Sequence, residues 1–256
     1  MNSSLEISAF ALVGFYLLLL LPVGLFARWQ LGLNRHLVSS VLRMTLQLAV
    51  VGFYLQVLFN YQNPILNGSW LFVMVLVASY SICQRAKLPA KKVLLATFSG
   101  QLLGVLVVVP LLLIVVVQAQ PWWQAQYLIP ITGMLLGNCL TVNILALERW
   151  YSTLKQQKNE HEFYVSLGAV NPSLPFIKSS VRAALTPQLA SMATLGIVSL
   201  PGMMTGQILG GTEPLLAVKY QLLIMVAIFI AGSVSVISSL AIIKCMAFDA
   251  YGRLII

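Results

Sequence analysis

Leu102-Leu103-Gly104-Val105-Leu106-Val107-Val108-Val109-Pro110-Leu111-Leu112-Leu113-Ile114-Val115-Val116-Val117 is a run of sixteen residues without one charged side chain. A helix that is apolar on every face is either the centre of a large protein or a bilayer span. Other aliphatic runs cover Phe10 to Leu21, Trp70 to Val77 and Leu222 to Ile230. Their intervals suit helices crossing a hydrocarbon core of about 30 Å, each of about 20 residues. Of the 256 residues, 59% are hydrophobic and 8% charged, whereas a soluble domain carries about a quarter charged residues. The chain therefore reads as all-α, a polytopic integral membrane protein forming one domain over 1–256. A large catalytic domain on either side is excluded.

Hydropathy and loop charge together predict about seven transmembrane helices. Their expected ranges are Ser8–Phe26, Arg43–Phe59, Trp70–Cys83, Val93–Val117, Leu128–Leu147, Thr186–Leu209 and Tyr220–Ile243. The connections alternate between basic and uncharged, and 14 of the 15 basic residues fall on one side, only Lys219 on the other. Basic loops mark the cytoplasm. This places the N-terminus outside and the C-terminus in the cytoplasm, and it explains the net charge of +9 without nucleic acid. Met1 to Ser8 carries only Glu6 and lacks a signal-peptide pattern, so the first apolar run is retained as a span. Cys83, Cys139 and Cys245 are odd in number and far apart, which argues against a disulfide framework.

The sixth expected span contains Ser199-Leu200-Pro201-Gly202-Met203-Met204-Thr205-Gly206-Gln207-Ile208-Leu209-Gly210-Gly211. Pro201 frees the carbonyl of Ile197, so the helix must kink or break. Such a break survives in a membrane only where protein or water satisfies the freed groups. Gly202, Gly206 and Gly210 repeat every fourth residue and read as a helix-packing stripe. Met203, Met204 and Gln207 project between them, either into a packed kink or into a translocation path. On the fifth span Gly133 and Gly137 repeat the close-approach spacing, and Asn138 and Thr141 lie on one face with Met134 and Glu148. Polar groups at that depth face a bundle interior or a cavity. Asn138, Thr141, Pro201, Met203, Met204, Gln207 and Glu213 are thus the candidate substrate pathway. Gly100 and Gly104 form a weaker third pair.

The longest connection, 149–182, is read as a cytoplasmic loop with a short amphipathic helix. Phe163, Leu167 and Val170 are spaced four and three, and Gly168 can end the helix. Enzyme signatures are missing. There is no phosphate loop, and His161-Glu162 fails as a zinc-protease motif because Val165 stands where the second His belongs. With His36 and His161 the only histidines, no histidine metal cluster lies in the membrane.

Gly137-Asn138-Cys139-Leu140-Thr141-Val142-Asn143, Leu147-Glu148-Arg149, the loop Glu162 to Ala169, the run Gly196 to Gly211 and Lys219-Tyr220-Gln221 together resemble one family. It is the FetB-like iron-export ABC transporter permease family, which also includes plant aluminium-tolerance membrane subunits. The resemblance covers Leu128 to Ile243, and Arg43 to Leu48 also fits. It implies a permease subunit in a bacterial inner membrane, working as a homodimer with a separate P-loop ATPase subunit, and a metal cation as cargo, iron in the bacterial members. The chain itself would hold no cofactor, with ATP and Mg in the partner subunit. The segment Glu162, Phe163, Tyr164, Leu167 and Gly168 is also similar to the Glu-Ala-Ala-x-x-x-Gly stretch by which importer-type permeases dock their ATPase, with Phe163 and Tyr164 in place of the two alanines. Metal ligands are unknown. Met203 and Met204 are soft donors suited to Cu(I), whereas iron favours oxygen and nitrogen. An ion-coupled secondary metal transporter and an intramembrane enzyme are the alternatives.

Overall fold

The computed structural model describes residues 8–249. Met1 to Ile7 and Ala250 to Ile256 lie outside it, and with them Glu6 and Arg253. Helices are forced on such a chain, because hydrocarbon offers no partner for a free backbone N–H or C=O. The described residues form ten α-helices and no strand: α1 Ala9–Leu17, α2 Leu20–Arg28, α3 Asn34–Tyr61, α4 Pro64–Arg85, α5 Ala90–Pro110, α6 Ala125–Gln156, α7 Lys158–Ser166, α8 Leu174–Thr194, α9 Gly202–Leu209 and α10 Pro214–Ala247. A π-helical stretch, Leu111–Val117, continues α5. Starts are written in the sequence. Ser8 caps α1 by accepting from Ala11 N at 3.2 Å, and Asn63 caps α4 by accepting from Ile65 N at 2.9 Å ahead of Pro64.

Six segments are long and apolar enough to cross a membrane: Phe10–Arg28, Asn34–Tyr61, Pro64–Arg85, Ala90–Val117, Ala125–Gln156 and Pro214–Ala247. The chain is a multi-pass membrane protein of six to seven spanning helices, as its hydropathy predicts. Several helices outrun their expected ends. α6 has 32 residues, about 48 Å at the α-helical rise, and continues to Gln156 through what reads as loop in sequence. Hydropathy marks the hydrocarbon, and the helix goes on past it.

The sixth expected span, Thr186–Leu209, is not continuous. α8 stops at Thr194, and an irregular segment follows in which Gly196 takes φ +85° and its N–H bonds the Ser199 carbonyl at 3.0 Å. α9 starts after Pro201 and has eight residues, about 12 Å, too short to span alone. Gly211, at φ +89°, ends it: its N–H donates to Ile208 O at 3.0 Å and Thr212 N to Gln207 O at 2.9 Å.

α4, α5, α6 and α10 form the packed bundle, and α8 lies along α6. One core cluster sits toward the basic end, around Ile82, Cys83, Val93, Leu147, Trp150, Leu240 and Ile243. A second sits toward the other end, around Val75, Val105, Leu112, Leu113, Leu135, Ile224 and Ala231. α5 and α10 have the most extensive contact, and small residues allow it. A Cβ on Gly100 would lie 2.8 Å from the Ser235 carbonyl oxygen, and one on Gly104 2.7 Å from that of Ala231. Ala231, Ser235 and Ser239 thus face Gly100 and Gly104, a small-residue seam. α1 to α3 stand apart. Among the described residues of α3 only Leu58 is buried.

Candidate functional site

At the basic end, α7 leaves α6 after Gln157 and turns back onto the bundle. His161 is its buried residue, stacked on Phe248 at 4.9 Å between ring centroids and 5.9 Å from Phe176. Burial holds its imidazole below the usual value, with Glu162 pulling the other way. Gly168, at φ +69°, terminates the helix as expected: its N–H donates to Val165 O at 3.0 Å, and Ala169 N to Tyr164 O at 3.1 Å. The helix runs Lys158–Ser166, starting a turn before the segment singled out in sequence. Tyr164 donates to Glu160 at 3.1 Å and packs partly on the core. Phe163, Leu167 and Val170 are 58%, 66% and 94% exposed. The apolar positions picked out by spacing therefore point away from the chain's own core.

At mid-bundle, two polar faces of α6 separate. Asn143 is fully buried, and its Nδ2 donates to Ser235 Oγ and Cys139 O, both at 2.8 Å. Asn138 and Thr141 lie on the exposed face and bond only along their own helix, to Met134 O at 2.9 Å and Gly137 O at 3.2 Å. Exposed groups that bond only within their helix keep their outward surface available.

α9 packs against α10 and carries Met203, which reaches the second core cluster, with half-buried Met204 and Gln207. Gln207 Oε1 is buried with no partner, as are Gln188 Oε1 on α8 and Gln221 Oε1 on α10. Ile197, whose carbonyl Pro201 is expected to free, is 91% exposed in the break. Glu213 is exposed at the start of α10. The candidate pathway residues thus divide between the α9 segment and the exposed face of α6.

The glycines singled out for helix packing behave differently from one another. A Cβ on Gly133 would lie 3.2 Å from Met74 Cε, and one on Gly210 would meet only the backbone of its own segment. Around Gly137, Gly202 and Gly206 nothing lies within 4 Å of such an atom. Within one copy of the chain, the close approach is made instead at Gly100 and Gly104. Sequence reasoning also passed over Gln188, Gln101 and Ser235. The signal for Ser235 was available in the i, i+4, i+8 series Ala231, Ser235, Ser239.

A groove of about 970 Å³ opens between α3, α4 and α6, with Arg43, Gln47, Gln84 and Arg85 at one end and Tyr54 and Trp70 at the other. No group of three or more His, Cys, Asp or Glu that could hold a metal occurs among the described residues.

The family model described as "Uncharacterised protein family (UPF0014)" matches residues 9–248. The chain belongs to the UPF0014 family. A UPF0014 membrane protein of Synechocystis is 35% identical over 237 residues, 90% of each chain. "Protein ALUMINUM SENSITIVE 3" of Arabidopsis thaliana is 36% identical over 229 residues, 86% of this chain and 80% of that protein. The Escherichia coli protein named "Probable iron export permease protein FetB" is 29% identical over 210 residues, 81% of this chain and 80% of its own length. No solved structure matches significantly. The resemblance read from sequence, to FetB-like permeases and to plant aluminium-tolerance proteins, is met on both counts among these relatives.

Proposed function

We propose that this chain is the permease subunit of an ATP-binding cassette exporter in a bacterial inner membrane, moving iron out of the cytoplasm with energy from a separate P-loop ATPase. The observation that supports it most is α7 and the turn that ends it: a short helix at the basic end, anchored inward by His161, with Phe163 on the helix and Leu167 and Val170 in the turn just after it all exposed. Clustered exposed apolar side chains mark a surface that contacts protein or membrane, and a separate ATPase is the partner this reading needs, since the sequence has no phosphate loop of its own. The name of the Escherichia coli relative supplies the cargo. In this reading two copies enclose the path, with the bare glycines Gly202 and Gly206 at or near their contact. Asn138, Thr141, Met203, Met204 and Gln207 line the path, and Glu213 receives the departing cation.

Gly168→Leu tests the docking step. Position 168 has a positive φ that costs a non-glycine residue about 1–2 kcal/mol, and no neighbour lies within 4 Å of an added Cβ. The variant should assemble its bundle but lose copurification with the ATPase subunit and the stimulation of its hydrolysis. Wild-type complex yield, ATPase stimulation and iron export together would leave α7 as a surface helix and return the secondary-transporter alternative to first place.

A further inference from the structure

α3 touches the bundle at one end only. Leu58 packs on Ala125 and Ile129, and Tyr54 lies 4.2 Å from Trp70 between ring centroids. From there toward Arg43 the helix parts from α4 and α6, so the groove is a wedge closed by aromatic rings and open at its basic rim. The walls are mostly apolar, while Arg43, Gln47, Gln84 and Arg85 collect at the rim. No carboxylate lines the groove, and neither arginine makes an ion pair among the described residues.

We propose that this groove binds one anionic phospholipid, its phosphate at Arg43 and Arg85 and an acyl chain along the apolar wall toward Tyr54. Basic pockets between transmembrane helices select anionic headgroups. Arg43 and Tyr54 are eleven residues apart, about 16 Å along the helix, and one leaflet's hydrocarbon is about 15 Å deep. Two guanidinium groups repel a bare metal cation, so the groove is distinct in chemistry from a metal path. A second copy is a poor occupant, because a two-fold interface sets the same patch against itself, here a doubly cationic rim with no acid to meet it. The inference does not depend on transport or on an ATPase partner.

The full-length chain, purified in neutral detergent, is offered phosphatidylglycerol or phosphatidylcholine, and retained lipid is counted by native mass spectrometry. Phosphatidylglycerol should be preferred. That preference should fall roughly fivefold in Arg43→Gln or Arg85→Gln and roughly 25-fold in the double variant, with Lys91→Gln, basic but outside the groove, unchanged. Val73→Trp obstructs the apolar wall and leaves both charges, so it should lower retention of the lipid while the circular dichroism spectrum stays that of the wild type. Equal retention of the two lipids, or an unaltered preference in the double arginine variant, overturns the proposal. Full displacement by glycerol phosphate at matched concentration makes this a free-phosphate site and overturns it too. So does efficient disulfide formation between two copies carrying Gln47→Cys, which would give the groove to a partner chain.

Discussion

Gly100→Ala puts the α5–α10 seam under direct test. The new methyl would stand 2.8 Å from the Ser235 carbonyl oxygen and 2.9 Å from the Ser239 nitrogen, where ordinary contact begins near 3.4 Å. Both obstacles are backbone, so no rotamer change relieves them and α10 must move by about half an ångström. The movement also strains the 2.8 Å bond between Asn143 and Ser235. Overpacking of this kind costs about 1–3 kcal/mol, and better helix propensity returns at most about 1 kcal/mol. The net loss is about 0–2 kcal/mol, or up to roughly 8 °C in melting temperature for a chain of this size. Gly137→Ala is the control: it has the same gain in propensity and no neighbour within 4 Å, so its melting temperature should hold or rise. Thermal unfolding of the purified chain in detergent, followed by far-UV circular dichroism, reads both. Adding Ser239→Ala to Gly100→Ala should recover little, since the hydroxyl is the movable part of the obstruction. If Gly100→Ala melts at or above the wild type while Gly137→Ala falls, the seam is not where the two helices approach most closely.

Two further perturbations address the basic end and the orientation. Burial lowers the His161 imidazole below its ordinary value of 6.5, with Glu162 opposing, so the detached helix binds more protons than the seated one as pH falls. The seating of α7 is complete above that value and weakens on acidification; hydrogen exchange of the α7 amides, corrected for intrinsic rates, should rise between pH 7.5 and 5.5, and His161→Phe should abolish the difference. Equal corrected protection at both pH values would refute it. For orientation, Cys245 is the exposed native cysteine, with Cys83 and Cys139 buried. In a background lacking it, single cysteines at Gln118 and Lys91 should react with membrane-impermeant reagent from opposite sides, and reaction of both from outside would reverse the basic-side assignment.

The spans were legible because hydrocarbon imposes one demand on every residue within it, and an uncharged run such as Leu102 to Val117 meets that demand whatever its neighbours are. Their ends were less legible. Lys155 and Arg149 belong to α6 although charge removes them from the hydrocarbon, since a helix supported by packing at Trp150 and Leu154 continues into water. The break before α9 was legible as Pro201, but its width was not. Gly196 opens it five residues earlier by adopting a positive φ, a property of the whole turn rather than of glycine alone. The termination of α7 was read correctly from Gly168 because that signal is local. What seats the helix was not legible, because it depends on His161 finding Phe176 and Phe248 from two distant parts of the chain.

The glycines separate what sequence spacing merges. Gly100 and Gly104 have the same four-residue interval as Gly133 and Gly137 or Gly202 and Gly206, and spacing gives no reason to prefer one pair. What decides is the opposing helix: Ala231, Ser235 and Ser239 supply small residues in the same period, so two backbones can meet over three successive turns. No such series stands opposite Gly137, Gly202 and Gly206 within the described residues. A bare glycine in a membrane helix forgoes side-chain packing, so it is best accounted for where another backbone arrives or where the helix must slide. The α5–α10 seam satisfies the first condition already and would resist movement. The exposed α6 face and α9 satisfy neither within one copy, so any alternation between open and closed states should concentrate there, on the same segments that carry Asn138, Met203 and Gln207. The rigid seam and the unpaired glycines are then two consequences of one rule, separated only by whether the complementary surface lies in this chain.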